Sequence, residues 1–218
     1  MIRVLGVMLG AVLALPNTCT TTIYTIERAL YYSDAKHLLN KEEGFMAIFN
    51  PIYELTLRLE GGYKLHQNAT ESAVTYAGIY RKAHPHWEGW KFVDAKDMDN
   101  PELTNAVIRF YKEQFWNKIR GDEIEDQEIA KHLFEFAVNA GVPTAVKLLQ
   151  LCVGETPDGI VGKDTLKALN SSNPTEVVYC FTLAKIKRYN ELANKEPNKY
   201  GLYLRGWLNR AFAVLEAS

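Results

Sequence analysis

Asn50-Pro51-Ile52-Tyr53-Glu54-Leu55-Thr56-Leu57-Arg58-Leu59-Glu60-Gly61-Gly62-Tyr63 reads as one short amphipathic helix that ends on an acid and a glycine pair. Asn50 is placed to cap it and Pro51 to be its first helical residue, while Ile52, Leu55 and Leu59 recur at the spacing of a single apolar stripe. Glu60 then falls in the last turn. The unpaired carbonyls there carry partial negative charge, which disfavours an ionised carboxylate, the more so in a partly apolar site, and this suits a general acid. Gly61 can take the left-handed conformation that stops a helix, and the pair Gly61-Gly62 lets a bulky ligand approach the backbone. A solvated glutamate at any helix end has the same local pattern, so the decision rests on the rest of the chain.

Downstream the pattern stays helical, without a period-two run longer than a few residues, which predicts an all-α class. Asn100-Pro101-Glu102 opens a helix carrying Leu103, Val107, Phe110 and Trp116 inward, with Gly121 beyond its end. A second begins near Gln127, buries Ile129, Leu133, Phe136 and Ala140, and stops at Gly141. After Pro143, the residues Val146, Leu149 and Val153 mark a third, ended by Gly154. Asn173-Pro174-Thr175-Glu176 has the cap, first-turn proline and glutamate of a capping box and starts a long helix towards Pro197. A last helix should bury Leu204, Trp207, Leu208, Phe212 and Leu215, and Gly206 within it suggests close approach of another element.

The chain has 218 residues, is 47% hydrophobic and carries a net charge of -1, a globular composition able to bury one core or two small ones. With 25 basic against 26 acidic residues it is not a globally basic nucleic-acid binder, and no nucleic-acid partner is expected. Cys19, Cys152 and Cys180 are too few and too irregularly spaced for a disulfide framework or a metal knuckle. Cys152 and Cys180 lie in apolar helical stretches, as buried free thiols or, after export, as a disulfide.

Residues 1–45 form a separate extension. Val4 to Leu15 is an unbroken apolar run after Arg3, short for a membrane span and of suitable length for a signal-peptide core, although Val12-Leu13-Ala14 is a poor cleavage site. Alternatively, the purine-rich codons of Lys41-Glu42-Glu43-Gly44 can spell a ribosome-binding site, and translation is expected to begin at Met46.

Four further stretches add specificity: Thr75-Tyr76-Ala77-Gly78-Ile79, Val138-Asn139-Ala140-Gly141, Thr156-Pro157-Asp158-Gly159-Ile160-Val161-Gly162-Lys163-Asp164-Thr165, and Arg205-Gly206-Trp207-Leu208-Asn209-Arg210. In this order, with Glu60-Gly61-Gly62-Tyr63 before them, the chain from Met46 to about Leu215 resembles the glycosyl hydrolase 108 family of bacterial and phage muramidases. The resemblance implies a lysozyme-like helical catalytic domain over residues 46–135, packed on a small helical peptidoglycan-binding domain over 136–218. It also implies that Glu60 is the family's glutamate, that Thr75, Gly78 and Ile79 are its threonine element, and that Asp158, Gly159, Gly162 and Thr165 are its aspartate-glycine turn. One segment departs from the pattern. Relatives commonly carry an aspartate in a Gly-Gly-rich loop before the threonine, whereas this chain has Asn68-Ala69-Thr70-Glu71-Ser72-Ala73-Val74, in which Glu71 is the only acid.

Cleaving a glycosidic bond needs a proton for the leaving oxygen and a means of handling positive charge at the sugar carbon. Glu60 would give the proton, and Thr75 would hold the attacking water with Glu71 as partner, unless the threonine hydroxyl only satisfies a turn. Gly61, Gly62, Tyr63, Trp87, Trp90 and Asp158 are the residues expected to touch substrate, the aromatics through their flat faces unless they are core. His84-Pro85-His86-Trp87-Glu88 contains zinc-ligand types, but the proline prevents a helical two-histidine face and no third ligand group is evident. No metal or cofactor is expected.

The expected function is hydrolysis of peptidoglycan as an N-acetylmuramidase. A lytic transglycosylase acting on the same bond and a non-catalytic wall-binding module of a secretion or phage apparatus are the alternatives. Peptidoglycan is the expected partner, a holin or secretion system the expected route of export, and a monomer the expected state. The periplasm or cell wall after export, with the cytoplasm before release, is the expected location.

Overall fold

A computed structural model describes residues 46–67 and 72–216. The extension with both readings of the start lies outside the described residues, as do Cys19 and Glu71. The architecture is all-α with one small antiparallel sheet, consistent with a lysozyme-like fold.

Helix α1 spans Phe49–Leu59 and starts before the expected cap at Asn50. Its N-cap is Ile48, without a side-chain cap, and Gln127 holds that residue's backbone: Oε1 accepts the Ile48 N–H at 2.7 Å, and Nε2 donates to the Ile48 carbonyl at 3.1 Å. The buried face is also rotated from the expected stripe. Phe49, Ile52, Tyr53, Thr56 and Leu57 are buried, whereas Leu55 and Leu59 are only half so. Aromatic packing explains the rotation, because Phe49 meets Trp116 and Phe134 while Tyr53 meets Tyr111.

Three two-residue strands follow, β1 (Leu65–His66), β2 (Thr75–Tyr76) and β3 (Ile79–Tyr80), in the order β1-β2-β3. Thr75 lies opposite both His66 and Tyr80, and Ala77-Gly78 makes the turn between β2 and β3. Helix α2 (Trp90–Asp94) leads to α3 (Pro101–Tyr111), whose cap is as read: Asn100 Oδ1 accepts the Glu102 N–H at 2.9 Å. A π-helical turn over Lys112–Trp116 extends α3 and seats Trp116 in the core.

Helix α4 (Gln127–Ala140) is the centre of the fold, capped by Asp126 and ended at Gly141. It packs against α1 on one side and against α5 (Val142–Val153) and α7 (Pro174–Lys195) on the other. Every residue from Ile129 to Ala137 is therefore buried, including Lys131, His132 and Glu135. Residue 136, expected as a domain boundary, lies inside this helix. Helix α6 (Lys163–Ser171) packs on α5, and α8 (Pro197–Glu216) lies along α7. In α8 it is Ala211 and Val214 that are fully buried, whereas Phe212 is half exposed.

Cys152 of α5 and Cys180 of α7 form a disulfide, with Cα atoms 5.7 Å apart and a sequence separation of 28. The bond staples two helices of the C-terminal half. Restricting a loop of that size in the unfolded chain contributes about 3 kcal/mol, so Cys152→Ser should lower unfolding stability by about that amount in denaturant titrations run without reductant. The same titration of the parent chain under reducing conditions should reproduce the loss.

Candidate active site

Glu60 follows α1 directly, and its backbone N–H still bonds to the Thr56 carbonyl at 3.0 Å. Gly61 and Gly62 then take positive φ values of +93 and +73, which turn the chain away as the glycine pair predicts, and a side chain at either would meet no neighbour within 4 Å. The backbone beside Glu60 is thus open from outside.

The Glu60 carboxylate has two neighbours. On one side stands the β2–β3 turn: a Cβ built on Gly78 would lie 3.4 Å from Glu60 Oε2 and 2.5 Å from the Tyr111 hydroxyl, so only glycine fits. That hydroxyl donates to the Ala77 carbonyl at 3.0 Å and ties the turn to α3. Burial, and after it the charge of Glu60, raises the Tyr111 pKa, so the phenol stays protonated as a donor. On the other side Arg210 of α8 places Nη1 2.8 Å from Glu60 Oε1.

Arg210 in turn donates through Nε to Glu135 Oε1, and Lys185 Nζ lies 3.8 Å from Glu135 Oε2. Glu135 and Lys185 are 1% and 0% exposed, and the chain of charges continues to His132, whose Nδ1 is 3.5 Å from Lys185 Nζ. Burial works against the Arg210 charge, but Glu135 and Glu60 outweigh it and raise the guanidinium pKa. For Lys185, burial wins over the opposing pull of Glu135 and lowers the pKa. Burial, and then Lys185 and Lys131, holds His132 well below its usual range, so its ring is neutral. A crevice of about 480 Å³ opens beside the Glu60–Arg210 pair, between Leu59 and α8.

The residues expected to touch substrate separate into those at this site and those elsewhere. Tyr63 is exposed beside the glycine pair, and its hydroxyl shares a 2.9 Å hydrogen bond with that of Tyr53. Thr75 is buried in β2, two residues before the turn that abuts Glu60. Trp90 is core instead of a sugar platform: it is 4% exposed and its indole N–H bonds to the His84 carbonyl at 2.7 Å. Trp87 stacks on Tyr76 and meets Trp90 and Phe110 edge-on, so its faces too are taken by protein. His84 also packs, against Phe110 at 4.7 Å. Asp158 Oδ1 is occupied by Gln150 Nε2 at 2.7 Å and by the Ile160 N–H at 2.8 Å, the bonds of a self-contained turn.

Arg210, Glu135 and Lys185 were missed as site residues. The available signal was a charge on an apolar row: Lys185 sits between Phe181 and Tyr189 at spacing four, and Glu135 between Phe134 and Phe136.

In this all-α, lysozyme-like fold the matches to known family models support a glycoside hydrolase acting on peptidoglycan. Residues 53–141 match the model of Glycosyl hydrolase 108, and residues 144–212 match the Predicted Peptidoglycan domain, in the order expected. The solved structure of Brucella abortus SagA is similar in fold, with a TM-score of 0.53 at 21% identity over 75% of this chain and 95% of that one. No curated protein matches the chain.

Proposed function

We propose that the protein is an N-acetylmuramidase in which Glu60 is the general acid. The observation that supports this reading is that the Glu60 carboxylate lies between the Gly78 turn and Arg210, and Arg210 lines the crevice. Protonated Glu60 gives its proton to the leaving glycosidic oxygen, and Arg210 then stabilises the carboxylate left behind. Glu135 is not the second catalytic carboxylate, because it is sealed in the core between Arg210 and Lys185 and has no room for a water. Thr75, beside the hairpin turn, and Glu71 remain the groups to position water.

The disulfide supports an oxidising compartment, the periplasm or cell wall. The second module would improve engagement with intact walls by adding contacts away from the scissile bond.

Mass spectrometry of the fragments released from purified peptidoglycan tests the reaction. Reducing muramic ends are expected. Anhydro ends would replace the hydrolase reading with a lytic transglycosylase, and absence of any fragment would favour the wall-binding module.

A further inference from the structure

The two acids and two cations that meet behind the hairpin turn come from different parts of the chain. Glu60 and Glu135 lie in the segment that matches the glycosyl hydrolase model, whereas Lys185 and Arg210 lie in the segment that matches the peptidoglycan domain. On α8, Gly206 was expected to mark a close approach of another element, yet a Cβ there would meet no atom within 4 Å, so the glycine leaves open space at the crevice it lines. The contact that reaches the acid from this helix is Arg210, one turn later, with Nη1 2.8 Å from Glu60 Oε1.

Arg210 is shared between two carboxylates of unequal freedom. Glu60 is 23% exposed, whereas Glu135 is 1% exposed, accepts from Arg210 Nε and cannot turn away to water. An arginine neutralised by that buried acid would have no net charge left to offer Glu60. Lys185 supplies the balance. Its Nζ lies 3.8 Å from Glu135 Oε2, seated against the rings of Phe181 at 5.4 Å and Phe136 at 5.9 Å. Two cations and one anion then stand behind Glu60, which leaves one positive charge facing it. Stability alone does not account for this arrangement, because burying an ion pair desolvates both charges, and a well-packed apolar pair of similar volume is often as stable or more so.

We infer that Glu135 and Lys185 are positioning residues of the cleavage reaction: the buried pair fixes the Arg210 guanidinium and leaves its positive charge uncompensated for Glu60. This rests on the reading of Glu60 as the general acid. Neither residue touches substrate, and both act through Arg210. Once Glu60 has given up its proton, the uncompensated charge stabilises the carboxylate that remains. The C-terminal module thus supplies both cations behind the acid.

The same charge bears on the pH range of cleavage. A general acid acts while protonated, so the rate falls as pH rises, and nearby positive charge brings that fall to lower pH. Besides Arg210, the ionisable groups around the acid are the Tyr63 and Tyr111 phenols. Behind Arg210 stand neutral His132 and Lys131 of α4, the latter paired with Glu128, and Arg188 and Tyr189 of α7.

Cleavage of purified walls by the full chain, followed across the acidic and neutral pH range, tests the assignment. Lys185→Met lets Glu135 neutralise Arg210, so the fall in rate should move to higher pH by about half a unit or more. The double variant Glu135→Gln, Lys185→Met removes one charge of each sign and should bring the fall back to the parent position. Lys187→Met removes the same charge two residues further along α7, from a side chain 76% exposed, and should not move it. Thermal unfolding establishes that each variant is folded. Where Lys185→Met does not fold, Glu135→Gln reads the same charge with the opposite sign, since it leaves both cations facing Glu60 and should move the fall to lower pH. A fall that stays at the parent pH in folded Lys185→Met, that the double variant does not restore, or that moves equally in Lys187→Met would overturn the assignment. The outcomes also separate the two readings. An inactive Glu60→Gln with an unmoved fall in Lys185→Met removes only the positioning role, whereas cleavage by Glu60→Gln at the parent rate removes the acid and this assignment with it.

Discussion

Glu60→Gln should lower the rate of wall cleavage by about a hundred- to ten-thousandfold, the usual contribution of a positioned general acid. Glutamine keeps the shape of the side chain and can still accept a hydrogen bond from Arg210, so what is lost is the transferable proton. The surroundings make the substitution a clean one. The side chain is 23% exposed, its backbone stays tied to Thr56, and the charge left on Arg210 keeps its second partner, Glu135. Stability should therefore change little. Turbidity loss of purified walls measures the rate, and thermal unfolding by circular dichroism measures the fold. A folded Glu60→Gln protein that clears walls at the parent rate would remove Glu60 as the acid.

Glu135→Leu should cost about 3–5 kcal/mol of stability, the range seen when one member of a buried ion pair is removed. Leucine leaves Lys185, fully buried, without its acid, and it leaves Arg210 with only Glu60. The loss has a pH signature whose sign follows from Lys185. Burial lowers the native pKa of this lysine below the ordinary 10.5, so the unfolded chain binds more protons between the native value and 10.5. Stability of Glu135→Leu should then recover as pH rises through that window, because Lys185 can discharge inside the core. The double variant Glu135→Leu, Lys185→Met removes both charges and should regain most of the loss at neutral pH. Urea unfolding at several pH values reads all three effects. A Glu135→Leu protein as stable as its parent would mean that the buried pair is not what holds α4 against α7.

Much of the helical frame was legible because its signals are local. Asn100 and Asn173 bond to backbone N–H groups two and three residues away, and Gly154 ends α5 with its own φ of +76, so a few consecutive residues carry the whole signal. Glu60 with Gly61 and Gly62 was legible for the same reason. The start of α1 was not, since its N-cap is Ile48, whose backbone is held by Gln127 from 79 residues along the chain. Trp87 and Trp90 show a second kind of blindness: an aromatic has the same sequence signature whether its face is free or stacked, and packing alone put these two against Tyr76, Phe110 and His84.

The sequence by itself determined the all-α class, most helix ends and the placing of Glu60 at the end of α1 before a glycine pair, because capping, glycine conformation and apolar period act over one or two turns. Only the tertiary structure decided what stands around that acid. The Arg210 contact to Glu60, the Glu135–Lys185 pair behind it and the crevice that Gly206 leaves open join residues from α1, α4, α7 and α8. Such contacts depend on which helix faces meet once the core has closed, and no local periodicity encodes the partner of a buried charge.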